Sequence, residues 1–438
     1  MEMVLEFLRD VLSQPALLIG IMSCVGLVAL KRPFHKVMTG TLKPILGYLM
    51  LAAGAGVIVS NLDPLGKMIE HGFHITGVVP NNEAIVAVAQ KVLGVETMSI
   101  LVVGLLMNLC IARFTKFKYV FLTGHHSLFM ACLMSAVLGT AGLSGMELIL
   151  VGGFLMGAWS AISPAIGQSY TSKVTDGDEI AIGHFGSLGY YLSAWVAQYV
   201  GKAEDSTEDI EIPEKWGFLR DSTLSTALTM IVFYLIAAIA AGSEFVSTLS
   251  GDMSPYLYAV MSAMNFAVGV TIVYSGVRMI LGDLIPAFQG IATKIIPNAI
   301  PAVDCAVFFT YAPTAVVLGF LSSFIGGIIG MLILGAVGGV LIIPGLVPHF
   351  FCGATAGIYG NATGGRRGAA VGAFLNGLAI TFLPAMALPV LGQLGFQNTT
   401  FGDADFAVMG LVLGNAYEWV GMAGIYGIVA IAALVLII

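Results

Sequence analysis

Between Phe406 and Ile438 only Glu418 carries a charge, and between Ala16 and Leu30 nothing does. Runs like these do not suit a helix with one face in water. About 20 apolar residues wound as a helix cross the roughly 30 Å hydrocarbon layer of a bilayer. The pattern recurs along the chain, with apolar windows at 15–30, 45–61, 97–113, 119–141, 147–165, 223–242, 257–280, 315–335, 337–353, 369–394 and 407–438. Charged residues make up 10% of the sequence and hydrophobic ones 58%, whereas soluble domains carry about 25% charged residues. A bilayer is therefore the solvent. The sequence predicts an all-α polytopic membrane protein with about eleven transmembrane helices. The amphipathic start, Met1 to Gln14, is interrupted by acids, lacks a small-residue cleavage site and reads as mature protein. Cys24, Cys110, Cys132, Cys305 and Cys352 form no paired motif and read as buried small hydrophobes.

Basic residues set the expected orientation, because Lys and Arg are retained on the cytoplasmic side. With the first loop placed inside, only Arg9, Lys67 and Lys91 of the 18 Lys and Arg fall outside. An odd number of spans then puts the N-terminus outside and the C-terminus in the cytoplasm. One long hydrophilic segment, acidic from Glu204 to Lys215, reads as a linker. The expected organisation is a first membrane half at 1–166, a linker at 167–222 and a second half at 223–438.

The chain also repeats itself. At an offset of 222 residues, Gly47, Gly54, Leu62 and Pro64 fall on Gly269, Gly276, Leu284 and Pro286, and Asn82 falls on Asp304. Five spans separate the two copies, so the second enters the membrane from the opposite side. This predicts an inverted repeat, with about 45–165 repeated in 267–394. Transporters with this symmetry bind substrate near the midplane, between broken or re-entrant segments. The breaks expected here are Gly77 to Asn82, with Pro80, and Ile296 to Asp304, with Pro297 and Pro301.

Ionisable groups within such a chain are costly, which makes each a functional candidate. Thr123-Gly-His125-His126 opens the fourth span, although two histidines at the membrane surface would need no further role. Val174 to Ser187 carries His184 on a glycine-rich segment suited to dip toward a cavity; the competing reading is a surface amphipathic helix. Asp304 enters a long apolar run, where a carboxylate accepts hydrogen bonds from sugar hydroxyls or takes a proton as a hydroxyl attacks phosphorus. It also suits a helix cap. Arg366 and Arg367, within Asn361 to Gly368, fit either a cytoplasmic docking contact or ordinary retention of positive charge.

Other classes are excluded. Asp176, Asp178 and Glu179 lack the terminal glutamate of a calcium loop, so no metal is expected. No Walker A loop points to ATP, no cofactor motif is present, no basic surface suits nucleic acid, and no rows of charge suggest a channel. The residues leave open a proton- or ion-coupled secondary transporter of a small polar metabolite.

Leu122-Thr-Gly-His125, Val174-Thr-Asp-Gly177, Ile182-Gly-His184, Val277-Arg-Met279, Ala302-Val-Asp-Cys-Ala306 and Tyr311-Ala-Pro313 together resemble the ascorbate-specific enzyme IIC family of the bacterial phosphotransferase system. The resemblance spans nearly the whole chain. It implies a homodimer in the inner membrane, each protomer having a substrate-carrying core domain and a V-shaped dimerisation domain. It implies uptake of L-ascorbate coupled to phosphorylation, with a separate enzyme IIB donating phosphoryl from a cysteine and enzyme IIA supplying enzyme IIB. The implied substrate contacts are His125, His184 and Asp304, with Asp304 the catalytic candidate and further contacts around Asn82 and Glu83. Where that family carries glutamine after each motif histidine, this chain has Phe129 and Phe185. That difference widens the expected substrate to related sugar acids or polyols.

Overall fold

The computed structural model describes residues 11, 14–74, 77–80, 82–177, 180–210, 222–392 and 399–437. Helix dominates. Helix α1 (Pro15–Ala29) begins with proline in its first turn, where the missing N–H costs nothing. Helix α2 (Phe34–Phe73) follows, then strand β1 (Val79–Pro80), α3 (Asn82–Phe114), β2 (Tyr119–Phe121), α4 (Gly124–Thr140), α5 (Gly145–Thr175), β3 (Ala181–Ile182) and α6 (Ser187–Val200). The second half runs through α7 (Ser222–Ala241), α8 (Ser243–Ser250), α9 (Pro255–Lys294), β4 (Ile300–Val303) and α10 (Pro313–Ala336). It ends with α11 (Leu346–Gly392), β5 (Thr399–Thr400), α12 (Ala404–Val420) and α13 (Met422–Ile437).

Six helices among the described residues are long and apolar enough to cross a membrane, or seven if α7 and α8 form one broken span bent by 117°. Each expected window is helical in whole or in part, but several are too short or too broken to qualify alone. The last window is split at Gly421, which adopts φ +62°. The windows 337–353 and 369–394 run together in α11, which breaks at Gly364 and Gly365. A loop fills that break: a Cβ on Gly365 would stand 2.3 Å from the Lys202 carbonyl oxygen, and Arg366 N–H donates to Asp205 O at 2.8 Å.

Helices α2 and α9 are each 40 residues, about 60 Å at 1.5 Å per residue, and pack along their length through glycine. A Cβ on Gly54 would stand 2.7 Å from Gly269 O, and one on Gly276 2.6 Å from Gly47 O. Small residues allow backbones in a membrane to approach this closely, which dispersion rewards where no hydrophobic effect acts between helices.

The segments expected as breaks are short strands. Extended backbone inside an apolar structure must find partners for its N–H and C=O groups within the protein. Here β4 lies between β2 and β3, all parallel, and β1 pairs in parallel with β5. Gly183 N–H donates to Val303 O at 2.7 Å, and Val78 exchanges bonds with Leu341 and Ile343 at 2.9 Å each.

The span expected as a linker, 167–222, contains packed elements among its described residues. Gly167 to Thr175 extends α5, β3 is buried, and α6 buries Tyr190, Tyr191, Ala194 and Ala197 while packing on α11. Short runs of Gly, Ser and Tyr around α6 look hydrophilic in sequence, although their backbones and hydroxyls are satisfied internally. Glu208 instead caps α10, accepting from Thr314 N and Ala315 N at 3.0 and 3.1 Å. The segments are also interleaved, because β4 of the second half sits between β2 of the first half and β3 of the expected linker. Residues 211–221 lie outside the described residues.

Candidate functional site

Parallel neighbours end on the same side, so the residues just beyond β2, β4 and β3 emerge together. These are His125 and His126 after β2, Asp304 after β4 and His184 after β3. The pair β1 and β5 does the same for Asn82 and Asp403. Both groups line one cavity of about 800 Å³, together with Tyr48, Pro80, Phe129 and Cys305. The volume suits a small polar ligand.

Asp304 is 8% exposed. Its Oδ1 accepts from Ala306 N–H at 3.2 Å, capping the short helix Cys305–Thr310, and its Oδ2 lies 3.4 Å from His125 Nε2. The cap and functional readings of Asp304 are thus compatible, each using a different oxygen. His125 remains 37% exposed, and its Nδ1 is 3.3 Å from the Tyr48 hydroxyl.

The tautomers of the other two histidines follow from their partners. A backbone N–H only donates, so His126 Nδ1, 3.3 Å from Phe185 N, and His184 Nδ1, 3.2 Å from Gly186 N, are acceptors. Each neutral ring then carries its proton on Nε2. The 4.0 Å approach of His184 Nδ1 to Asp403 Oδ1 is accordingly no hydrogen bond; Tyr190 Oη meets that nitrogen at 2.8 Å. The rings of His126 and His184 lie 3.8 Å apart, and His126 stacks on Phe406.

Two triads, His126 with His184 and Asp403, and His184 with Asp304 and Cys305, bring metal-ligating atoms within 4.8 Å of one another. Their surroundings do not suit a metal. A histidine bound to metal through one nitrogen donates from the other to an acceptor, whereas the second nitrogen of His126 and His184 here faces a donor. The arrangement offers N–H groups and carboxylate oxygens to a ligand rich in hydroxyl and carbonyl groups.

The structure therefore brings together His125, His184, Asp304, Asn82 and Phe129 from the sequence reading. It separates Phe185, which is fully buried, stacks on Phe121 at 4.6 Å and does not line the cavity. The turn after His184 leaves that ring packed in the core against Phe121 and Phe406. The Glu83 side chain lies outside the described residues. Sequence reasoning passed over Asp403 and Tyr48, and it left His126 as part of a motif. The signal for Asp403 was an acidic pair, Asp403 and Asp405, immediately before the last apolar run.

A family model described as the sugar-specific permease component of the phosphotransferase system matches residues 10–405. The "Ascorbate-specific PTS system EIIC component" of Mycoplasma pneumoniae is 26% identical, the match covering 94% of this chain and 70% of that protein. A match that takes in both strand groups and every cavity residue named above shows that this chain belongs to the sugar-specific permease components of the phosphotransferase system.

Proposed function

We propose that the chain imports L-ascorbate, or a closely related sugar acid or polyol, as an enzyme IIC, with phosphorylation by a separate enzyme IIB. Support for the substrate comes from the name of the Mycoplasma relative. Support for the site comes chiefly from one observation: a buried carboxylate, Asp304, lines the cavity with His125 Nε2 3.4 Å from one of its oxygens. That oxygen still has a lone pair free for a substrate hydroxyl.

In this reading His125, His184 and Asn82 hydrogen-bond the substrate, Phe129 packs against it, and Asp304 orients the hydroxyl to be phosphorylated. That hydroxyl oxygen attacks phosphorus on the enzyme IIB cysteine. The O–P bond forms, the S–P bond breaks with the thiolate leaving, and the proton passes to Asp304. Alignment supplies most of the rate in such transfers. The added charge then traps the product inside. The N-terminus faces outward, the C-terminus faces the cytoplasm, and two copies form a dimer. The α2–α9 pair belongs to the dimerisation domain, and the two strand groups belong to inverted repeats of the core.

The test is uptake of radiolabelled L-ascorbate into membrane vesicles supplied with enzymes IIA and IIB and a phosphoryl donor. Wild type should form ascorbate phosphate, and Asp304→Asn should form about 100-fold less, equivalent to about 2.7 kcal/mol. Accumulation of unmodified ascorbate would sink the coupled mechanism and favour ion-coupled transport.

A further inference from the structure

We propose that Asp403 is a second hydroxyl-binding subsite of the cavity, set in place by Asn82, so that the substrate is held by two carboxylates, each carried by a different strand group. The proposal deepens the sugar-import reading above and rests on it.

Asp403 occupies the N-cap position of α12, yet its side chain caps nothing. An aspartate there ordinarily accepts from the helix N–H groups. This one turns away into the cavity, where it is 4% exposed. Its Oδ2 accepts from Asn82 Nδ2, and its Oδ1 accepts from the Cys352 thiol at 2.7 Å. Asn82 also accepts from Gly402 N–H at 2.9 Å, which ties the chain just before Asp403 to the start of α3. The carboxylate is held in one orientation by neutral donors. Among the described residues no lysine or arginine pairs with it.

A carboxylate offers about four acceptor directions, and the protein uses two. A buried anion with capacity to spare is stabilised by a ligand that brings its own donors. Sugar hydroxyls are such donors. The strand geometry points the same way: Asn82, at the end of β1, matches Asp304, at the end of β4, under the sequence offset. In one group the strand end supplies the carboxylate itself. In the other it supplies an amide that positions a carboxylate from the neighbouring strand end. The class of ligand is therefore a small molecule with hydroxyl hydrogens at two separate places, while the Nε2–H groups of His126 and His184 suit its carbonyl or enolate oxygens. For L-ascorbate, one place is the side-chain diol.

The experiment is calorimetric binding to the purified full chain in detergent, without enzyme IIB, using L-ascorbate, 5-deoxy-L-ascorbate and 6-deoxy-L-ascorbate. Asp403→Asn should bind ascorbate at least tenfold more weakly than wild type. One of the two deoxy analogues should be weaker for wild type by a similar factor, yet less than twofold weaker than ascorbate for the variant, because the hydroxyl and its acceptor act as a pair. Asn82→Ala should give a smaller loss with the same dependence on that analogue, which a purely structural role would not produce. Binding by Asp403→Asn within twofold of wild type, or equal and additive losses with both analogues, would overturn the proposal. If Asp403→Asn does not fold, Asp403→Glu, which displaces the carboxylate by one methylene, carries the same comparison. A wild type that binds xylitol but not ascorbate would overturn the ascorbate reading alone, and Asp403→Asn should then lose xylitol tenfold; less than twofold overturns the subsite. Binding of neither overturns both.

Discussion

Asp304 and Asp405 are both buried carboxylates at the start of helical segments, and they differ in what their oxygens have left to do. Asp405, fully buried, accepts from Leu188 N–H at 2.9 Å with one oxygen, and from the Ser187 hydroxyl at 2.8 Å and Trp159 Nε1 at 3.2 Å with the other. It joins the start of α12 to the start of α6 and to α5, and it does not line the cavity. Asp304 accepts one backbone N–H and approaches His125, with the remainder open to the cavity. A charge buried in an apolar chain is therefore insufficient to mark a site. The sharper criterion is buried acceptor capacity that the protein itself does not use.

The largest effect expected from this comparison is on stability. Asp405→Ala strands two or three buried donors, a loss of about 3–5 kcal/mol, and the variant should fail to purify as a monodisperse species or should melt more than 10 °C below wild type. Asp304→Asn should melt within about 2 °C of wild type while losing transport. If the two variants lost stability equally, the distinction between spent and spare oxygens would collapse. Next in size is Phe185→Gln. An amide buried against Phe121 and Phe406 has no partner in that core, so about 2–4 kcal/mol of stability should go, measurable by the same melting experiment. Restored ascorbate affinity without loss of stability would instead put that side chain in the cavity.

A smaller effect tests the imidazole beside Asp304. His125→Phe removes the N–H that faces Oδ2 and the acceptor that faces the Tyr48 hydroxyl, and should weaken ascorbate binding about tenfold, or 1.4 kcal/mol. His125→Gln retains a donor and an acceptor and should fall between that variant and wild type. Equal losses would mean that ring shape, not hydrogen bonding, is what the site uses.

How much of this was legible in the sequence depends on the range of the forces involved. Apolar runs showed the membrane class because partition into lipid depends on composition alone. His125, His184 and Asp304 stood out because each is ionisable within an apolar setting, and their convergence follows from three parallel strands of two to four residues each. Of those strands only β4 falls in an expected break, while β2 opens the window 119–141 and β3 lies in the expected linker; segments so short carry no periodicity, and their pairing joins residues far apart in the chain. The α6 segment reads as part of a linker in sequence because its tyrosines and serines find partners only in the folded state, such as Tyr191 Oη donating to Ser163 O at 2.8 Å. Asp403 and Asp405 are two residues apart in one acidic pair, and nothing in that pair tells which oxygen set is spent. That information lies in Ser187, Trp159, Cys352 and Asn82, between 51 and 321 residues away.

The finest separation concerns the two phenylalanines that stand where the resembling family has glutamine. Phe129 lines the cavity beside the rings of His125 and His126, with centroids 5.8 and 5.7 Å away, whereas Phe185 does not reach it. Of the two, only Phe129 is placed to alter what the ligand meets. In Phe129→Gln the amide faces a cavity that already holds hydrogen-bonding groups, so its polar atoms need not be left unpaired and stability should change by less than about 1 kcal/mol. One added neutral hydrogen bond is worth about 0.5–1.5 kcal/mol, and the aromatic face lost with it offsets part of that. The expected outcome is a change of about threefold in ascorbate affinity, with melting temperature held within a few degrees. A tenfold or greater gain would mean that Phe129 excludes ascorbate and that the natural ligand presents an apolar edge at this position. No change would move the ligand toward Asp304 and Asp403 and away from the aromatic wall.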